Sequence, residues 1–117
     1  MKKIMVIDDE ALIVKALRFR LEKAGYEVAA FSDTELAMEY LTSQEVDVLV
    51  TDLLMPMHDG MVITQTAKAL ANPPKVIILS AAGQEKNVVD AFKLGADDFI
   101  SKPFSPEELI IRIQRLL

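Results

Sequence analysis

Acidic, hydroxyl and basic side chains follow four of the short apolar segments of this sequence within one or two residues. The four groups are Asp8-Asp9-Glu10, Asp52, Ser80 and Ser101-Lys102. Carboxylates held close together repel one another, and a divalent cation with oxygen ligands, such as Mg²⁺, relieves that repulsion. Magnesium suits phosphoryl transfer because it neutralises charge on phosphate oxygens, and a carboxylate near it can act as the nucleophile. These residue types indicate phosphoryl-transfer chemistry, with the lysine and the serine contacting the phosphoryl group.

A simpler interpretation exists for every member of this set. The acids can cap helices, and Lys102 can be a solvated surface residue. For a single aspartate this interpretation is the better one. The combination of three carboxylates, a hydroxyl and an ammonium group at the ends of four segments favours a common site instead.

The segments that must position these side chains are five short apolar runs. In chain order they are Ile4–Ile7, Val28–Phe31, Val48–Val50, Val76–Leu79 and Phe99–Ile100. The first, third and fourth are continuously apolar, which is typical of central parallel strands covered on both faces. The second and fifth are shorter or more mixed, which favours positions at the edges of a sheet.

Helix signals separate the runs. The predicted starts and ends are Glu10 to Ala24, a capping box Ser32-Asp33-Thr34-Glu35, Asp59-Gly60 to about Leu70, Gln84 to Leu94, and a start at Ser105-Pro106. Gly25 and Gly95 suit left-handed helix ends, and Pro73-Pro74 prevents continuation of the third helix. In the first helix, Ile13, Leu17, Leu21 and Ala24 form the stripe predicted to face the sheet.

Alternating strands and helices predict an α/β fold, a doubly wound (βα)₅ parallel sheet in one domain over residues 1–117. The strand order 2-1-3-4-5 is adopted from known sheets of this class. Such sheets bind ligands beyond the carboxyl ends of their strands, near the switch point between strands 1 and 3. That edge is where the polar groups fall.

Composition excludes several classes of function. The chain has no cysteine and one histidine, which removes disulfides, thiolate chemistry and multi-histidine metal sites. A net charge of −5 argues against direct nucleic-acid binding by this domain. No apolar run approaches the length of a membrane span or of a signal peptide, so we expect a cytoplasmic protein without membrane contact.

These motifs make the chain resemble the receiver domain of bacterial two-component response regulators across essentially all 117 residues. The matching segments are Asp8-Asp9, Asp52-Leu53-Leu54-Met55-Pro56-Met57-His58-Asp59-Gly60, Ser80-Ala81, Gly95-Ala96-Asp97-Asp98-Phe99 and Lys102-Pro103-Phe104. Each is common alone, but their order and spacing are highly specific. The resemblance implies a flavodoxin-like sheet and a phosphorylation-controlled switch rather than a turnover enzyme.

The resemblance also implies which acid is the phosphoacceptor and which groups hold the metal. Asp52 would be the phosphoacceptor that attacks phosphohistidine on a sensor histidine kinase or phosphotransfer protein. Asp9, Asp52 and the backbone carbonyl of Leu54 would hold Mg²⁺, and Asp8 would assist through a water molecule.

Three further residues would respond to the phosphoryl group. Lys102 would pair with it, across a Lys102-Pro103 bond expected to be cis. Ser80 would move to hydrogen-bond it, and Phe99 would follow inward and change the surface of helix 4 and strand 5. Phe99 stands where the family often has tyrosine, and simple core packing is an equal interpretation for it.

Other residues near the site receive structural interpretations. His58 lies in the loop between Pro56 and Asp59, where a solvated residue is a better interpretation than a catalytic base. Met55, Met57 and Met61 are interpreted as adaptable packing rather than as metal ligands.

Two other functions, an aspartate-based phosphohydrolase and a flavin-binding module, fit the sequence less well. An aspartate-based phosphohydrolase usually places a second Asp two residues after the first, as acid or base, but that position is Leu54. A flavin-binding module would need a Gly-, Ser- or Thr-rich phosphate loop after the first strand, where Asp8-Asp9-Glu10 would repel phosphate. Phosphate release from a monoester and yellow colour would distinguish them.

Two surfaces are predicted to meet partners. Leu12, Ala16 and Phe19 form a second apolar stripe on the first helix, beginning beside Asp9, and we expect a kinase helix to dock there. The alternative is that Phe19 packs on the fifth helix.

A phosphorylation-dependent homodimer would use crossed ion pairs drawn from Lys86, Asp97 or Asp98, Glu108 and Arg112. Val88 replaces a basic residue that related regulators often carry. The stimulus, the cognate kinase and the output stay open, as does the choice between a stand-alone receiver and a domain of a longer regulator.

Overall fold

The computed structural model describes residues 1–55 and 59–117. It contains five strands, β1 (Lys3–Ile7), β2 (Glu27–Phe31), β3 (Val48–Asp52), β4 (Lys75–Ser80) and β5 (Asp98–Ser101). The helices are α1 (Ala11–Lys23), α2 (Thr34–Ser43), α3 (Gly60–Lys68), α4 (Glu85–Lys93) and α5 (Pro106–Leu116). The interpretations of Met57 and His58 lie outside the described residues.

The sheet is parallel throughout and has the strand order β2-β1-β3-β4-β5, as predicted. The three continuously apolar runs form β1, β3 and β4 at its centre, and the mixed runs form its edges. Registers pair Ile7 with Thr51, and Asp52 with Leu79. The carboxyl ends of β1, β3 and β4 therefore lie side by side.

Alternate side chains of the central strands supply two separate cores. Met5 and Ile7 pack with α2, α3 and α4 on one face, whereas Ile4 and Val6 pack with α1 and α5 on the other. Both faces of the sheet are thus buried, which is the reason that its central strands read as continuous apolar runs.

Helix ends follow the predicted signals with one shift of a residue. Ser105 caps α5 by accepting from the backbone N–H of Glu108, and Asp59 caps α3 by accepting from Met61 and Val62. The structure replaces the capping box predicted for α2 with a simple cap one residue later, because the Asp33 carboxylate accepts from the N–H groups of Glu35 and Leu36. The third residue after this cap is Leu36, whose side chain cannot return a hydrogen bond as a capping box requires. Asp33 is an equally good cap, so local chemistry alone did not distinguish it from Ser32.

The buried face of α1 is rotated relative to the prediction. Val14, Leu17 and Leu21 are the buried residues of this helix, Ile13 is half-buried, and Ala24 is exposed at its end. The helix has apolar side chains on more than one side of its axis, so periodicity does not define one face uniquely. Contact with β1 and β2 selects the stripe that contains Val14.

Candidate functional site

The loop after β1 presents one buried and one exposed carboxylate. The backbone of Asp8 donates to the carbonyl of Phe31 at 3.2 Å, which continues the pairing of β1 with β2 beyond the strand. Its side chain is fully buried and its Oδ1 accepts from the N–H of Glu10 at 3.0 Å. Asp9 is exposed. The first acid is therefore fixed by the fold, while the second faces solvent.

Asp52 is the last residue of the neighbouring strand β3, and a backbone hydrogen bond fixes its side chain. Its Oδ1 accepts from the N–H of Leu53 at 2.9 Å, and its side chain is almost buried. The same N–H of Leu53 donates to the carbonyl of Leu79, at 3.1 Å, which ties this position to β4. Its second oxygen, Oδ2, faces Lys102.

Lys102 reaches the acids from the far edge of the sheet. Its peptide bond to Pro103 is cis, as expected, and its N–H donates to the carbonyl of Ser80 at 2.7 Å. Its Nζ lies 2.9 Å from Asp8 Oδ2 and 3.4 Å from Asp52 Oδ2. It also lies 3.6 Å from a carboxylate oxygen of Glu10. Glu10 belongs to this ion-pair network, a contribution that its place in the sequence did not reveal, since the third acid of the run could equally face solvent.

Burial and crowding of charge disturb the titration of the site. Burial raises the pKa of Asp52 to about 6, helped by the charge of Asp8 and opposed by Lys102 and the N–H of Leu53. Burial also raises the pKa of Asp8, against the hydrogen bonds from Glu10 and Lys102. Burial acts to lower the pKa of Lys102, but its pairing with Asp8 and Asp52 outweighs burial and raises it. The ammonium group of Lys102 therefore balances these acids only in part.

The acids form a donor set that fits a hard divalent cation. Asp8, Asp9 and Asp52 each offer a carboxylate oxygen, and these oxygens lie within 4.8 Å of one another. Oxygen-only ligands with room for water are the set that Mg²⁺ prefers. A cation would remove the charge repulsion that contributes to the raised pKa of Asp52. The residues therefore fit a metal at this position.

The remaining predicted residues surround the acids at different depths. Ser80 ends β4 and is buried, one residue beyond the Leu79 that pairs with Asp52. Leu54 lies two residues after the acceptor and is half exposed.

Phe99 is 37% exposed and meets Phe92 edge to face, with ring centroids 6.0 Å apart. Ser80, Val88, Phe92 and Phe99 are among the residues that line a groove of about 300 Å³.

The second apolar stripe of α1 lies on the surface. Leu12 is 84% exposed and Phe19 is 64% exposed, and Ala16 between them is exposed as well. The alternative in which Phe19 belongs to a core is therefore wrong. Beside this stripe, a groove of about 440 Å³ runs from Glu10 and Ala16 to Lys102 and Phe104.

Four of the five residues predicted for a dimer surface form ion pairs within the chain. Arg112 pairs with Asp98 at 2.9 Å and with Glu108 at 3.3 Å. Asp97 points elsewhere and binds Lys68 at 2.8 Å, while Lys86 is exposed. Val88 is buried.

Comparisons with a family profile and with known proteins indicate the same family. The sequence profile described as "Response regulator receiver domain" matches residues 4–114. Response regulator GtcR of Aneurinibacillus migulanus is 42% identical over 118 residues, which cover 99% of this chain and 48% of that protein. The alkaline phosphatase synthesis transcriptional regulatory protein PhoP of Bacillus subtilis is 36% identical over 116 residues, with the same coverage of 99% and 48%.

A solved structure agrees with the sequence relatives. The receiver domain of the Francisella response regulator 1452 superposes with a TM-score of 0.89 at 33% identity, covering 99% of this chain and 96% of that one. This chain spans about half the length of the curated relatives it matches.

The chain therefore belongs to the response regulator receiver domain family. Receiver domains are signalling modules of two-component systems; they interact with sensor kinases and output domains, and are generally switches rather than turnover enzymes. Within the described residues, no helix combines the length and the apolar character that crossing a bilayer requires.

Proposed function

We propose that this domain, residues 1–117, is a cytoplasmic switch that accepts a phosphoryl group on Asp52 in the presence of Mg²⁺. The observation that carries the proposal is the position of Lys102 Nζ, which lies 3.4 Å from Asp52 and 2.9 Å from Asp8 at an edge where three carboxylates meet. The donor would be phosphohistidine on a sensor histidine kinase or phosphotransfer protein.

The transfer exchanges one bond at phosphorus. An ionised oxygen of Asp52 attacks phosphorus, the P–N bond of phosphohistidine breaks, and its electron pair stays on the imidazole nitrogen, which takes up a proton from solvent. Lys102 lies near Asp52 Oδ2 and pairs with the phosphoryl oxygens as they arrive. The hydrogen bond from Leu53 to Oδ1 keeps the carboxylate in place during the transfer.

Asp9, Asp52 and the backbone carbonyl of Leu54 would hold Mg²⁺, and Asp8 would contribute through water. A cation held there would neutralise charge on the phosphoryl oxygens. Asp8 is buried and bound to Glu10 N–H and to Lys102, so it is less available than the exposed Asp9 for direct ligation. This division between the two acids supports the assignment.

Phosphorylation would be read out through Ser80 and Phe99. The Ser80 hydroxyl would move to the phosphoryl group, and Phe99 would turn into the groove of about 300 Å³ beside it. That movement would separate Phe99 from Phe92 and change the surface of α4 and β5. The groove supports this proposal because it provides apolar space next to Ser80.

The α1 stripe of Leu12, Ala16 and Phe19 is the proposed kinase-docking surface. It is exposed, and the adjoining groove of about 440 Å³ ends at Lys102, so a helix docked there would lie beside the phosphoacceptor. The double variant Leu12→Ser with Phe19→Ser should be phosphorylated more slowly by the phosphorylated kinase, and its reaction with acetyl phosphate should be unchanged. If both reactions slow together, the stripe has a structural role.

A phosphorylation-dependent homodimer is proposed through α4, β5 and α5. Arg112, Asp98 and Glu108 would exchange their pairs within the chain for crossed pairs between two copies, with Lys86 at the margin. Asp97 is held by Lys68, so Asp98 is the better candidate of the two acids. Light scattering of the beryllofluoride form at several concentrations tests this, and a persistent monomer would refute it.

The decisive test of the switch itself is modification with and without metal. Acetyl phosphate or beryllofluoride should modify the wild-type protein only when Mg²⁺ is present, and Asp52→Asn should not react. Equal modification of Asp52→Asn, or of wild type without Mg²⁺, would refute the assignment. Steady release of phosphate from a generic monoester would instead support a phosphohydrolase, and bound yellow flavin would support a flavin module.

A further inference from the structure

The first residue of α3, Gly60, touches the backbone of the phosphoacceptor strand. Its N–H donates to the carbonyl of Leu53 at 2.6 Å. A methyl group placed on Gly60 would lie 2.8 Å from Leu53 Cα and 3.1 Å from the Leu53 carbonyl oxygen. It would be closer still to the carbonyl oxygen of Asp52. Side-chain carbons do not approach backbone atoms so closely, so alanine at this position forces one of the two segments to move.

Backbone conformation does not explain a glycine here. Gly25, Gly83 and Gly95 have positive φ angles, whereas Gly60 lies within the first turn of a regular helix. At such a position alanine is the better helix former. The requirement for glycine therefore comes from the close approach to Asp52 and Leu53.

Both partners in this contact are held firmly. The β3 side is tied to β4 through the Leu53 N–H, and the carbonyl oxygen of Asp52 accepts from the Thr51 hydroxyl at 2.9 Å. On the other side, the Asp59 carboxylate caps α3 at the residue before Gly60. Neither segment can yield by rotating a side chain, so a displacement at Gly60 is transmitted to the backbone that carries Asp52 and Leu54.

We infer that Gly60 is a positioning residue for the metal and phosphoryl site. The N-terminus of α3 is seated directly on the Asp52–Leu53 backbone, and this contact fixes the Asp52 carboxylate and the Leu54 carbonyl relative to Asp8 and Asp9. The inference rests on the proposed function of those groups as metal ligands. Helix α3 thereby sets the geometry of the site without contributing a ligand.

The test is Mg²⁺ affinity, measured by calorimetry or by chemical-shift titration of the isolated domain. Gly60→Ala should weaken Mg²⁺ binding by about tenfold, because small misplacements of converging groups have large effects. The amide signals of Asp52, Leu53 and Leu54 should shift before any metal is added. Ala67→Gly is the matched control, since it weakens the same helix at a buried position away from the site and adds no atom near Asp52.

Each result distinguishes the inference from the function on which it rests. Wild-type affinity in Gly60→Ala, or an equal loss in Ala67→Gly, would overturn the positioning role while leaving the metal site intact. Absence of Mg²⁺ binding by wild type would instead refute the proposed function.

A second pair of variants covers the case in which Gly60→Ala does not fold. Asp59→Ala removes the cap of the first turn of α3, the turn in which Gly60 contacts Leu53, and Asp33→Ala removes the equivalent cap of α2, which also accepts from two backbone N–H groups. Mg²⁺ affinity should fall severalfold in the first and stay unchanged in the second. Asp59→Asn keeps a cap while removing the charge, and should bind Mg²⁺ like wild type. Equal affinities in Asp59→Ala and Asp33→Ala would overturn the inference.

Discussion

Two lysine–aspartate clusters lie at opposite ends of the sheet, and they differ in how completely their charges are satisfied. At the amino ends of the strands, Lys68 Nζ binds Asp97 at 2.8 Å and the carbonyl of Pro74 at 2.8 Å. The same carboxylate oxygen of Asp97 accepts from the N–H of Val76 at 2.8 Å. One cation faces one anion, and each has a further hydrogen-bond partner.

The cluster at the carboxyl ends is unbalanced. Lys102 lies near Asp8, Asp52 and Glu10, and Asp9 stands beside them. The two lysine side chains are similarly exposed, 21% for Lys68 and 18% for Lys102, so the exposure of the cations does not explain the contrast. The difference is an excess of negative charge at the carboxyl ends, which leaves room for another cation. The balanced Lys68–Asp97 pair has a structural role, whereas the unbalanced cluster around Lys102 can bind a further cation.

The largest expected contrast comes from removing each lysine. Lys102→Met should slow phosphorylation by acetyl phosphate at saturating Mg²⁺ about a hundredfold, because it deletes a fixed positive charge beside the transferred group. Lys68→Met should retain the wild-type rate to within about twofold, since that lysine is at the other end of the sheet. Intact-protein mass spectrometry gives both rates. Equal rates in the two variants would remove the distinction between the clusters.

The Lys68–Asp97 pair should matter for the free energy of unfolding, although it should not affect phosphorylation. Asp97→Ala leaves the Lys68 ammonium group and the Val76 N–H without their partner, and the free energy of unfolding should fall by about 2 kcal/mol. Asp98→Ala is the matched control, because Asp98 is about as exposed as Asp97 but its partner Arg112 keeps Glu108 as a second carboxylate, so the loss should be about 0–1 kcal/mol. Urea unfolding measures both. A loss in Asp98→Ala as large as in Asp97→Ala would contradict a structural role for the Lys68–Asp97 pair.

The burial of Asp52 and the excess negative charge around it predict that a substitution at the site stabilises the protein. The folded pKa of Asp52 is about 6, above its ordinary value of 3.8, so the folded state resists ionisation of this carboxyl. Asp52→Asn should therefore raise the free energy of unfolding of the metal-free protein by about 1–3 kcal/mol at neutral pH.

The pH dependence of this gain has a definite sign. Between pH 6 and pH 4 the folded wild type binds a proton that the unfolded chain does not, so wild type gains stability as the pH falls and the advantage of Asp52→Asn disappears. Urea unfolding across this range, with Asp33→Asn as an exposed control that keeps its cap, measures the effect. A gain from Asp52→Asn that is the same at pH 4 and pH 7 would contradict it.

The smallest expected effect concerns the lifetime of the phosphorylated form. Leu54 and Ala82, each two residues beyond a site residue, are apolar and exposed, so neither orients an attacking water by hydrogen bonding. Leu54→Asn or Ala82→Glu should speed loss of phosphate severalfold, as followed by mass spectrometry after removal of the donor. Rates equal to wild type in both would show that these positions do not govern hydrolysis.

Much of the candidate site was predictable because parallel strands align their carboxyl ends. Polar residues that follow β1, β3, β4 and β5 must then lie along one edge, whatever the details of packing. The caps at Asp59 and Ser105 were equally predictable, since a cap is a local interaction within one turn. The buried face of α1 was not, because this helix is apolar on more than one side and its partner in space made the choice.

Adjacent residues with the same side chain show most clearly where sequence information ends. Nothing in the order Asp97-Asp98 indicates that the first turns to Lys68 and the second to Arg112, since both partners come from distant helices. The same holds for Asp8 and Asp9, of which one is buried and one is exposed.

The sequence by itself determined the (βα)₅ order, the edge of the sheet that carries the polar groups and the kind of chemistry these groups suit. These follow from periodicity and from local rules that act within a few residues. The tertiary structure decided the raised pKa of Asp52, the inclusion of Glu10 in the ion-pair network and the contact of Gly60 with the acceptor strand. Each of these depends on distances between segments far apart in the chain, and such distances are set only when the helices pack on the sheet.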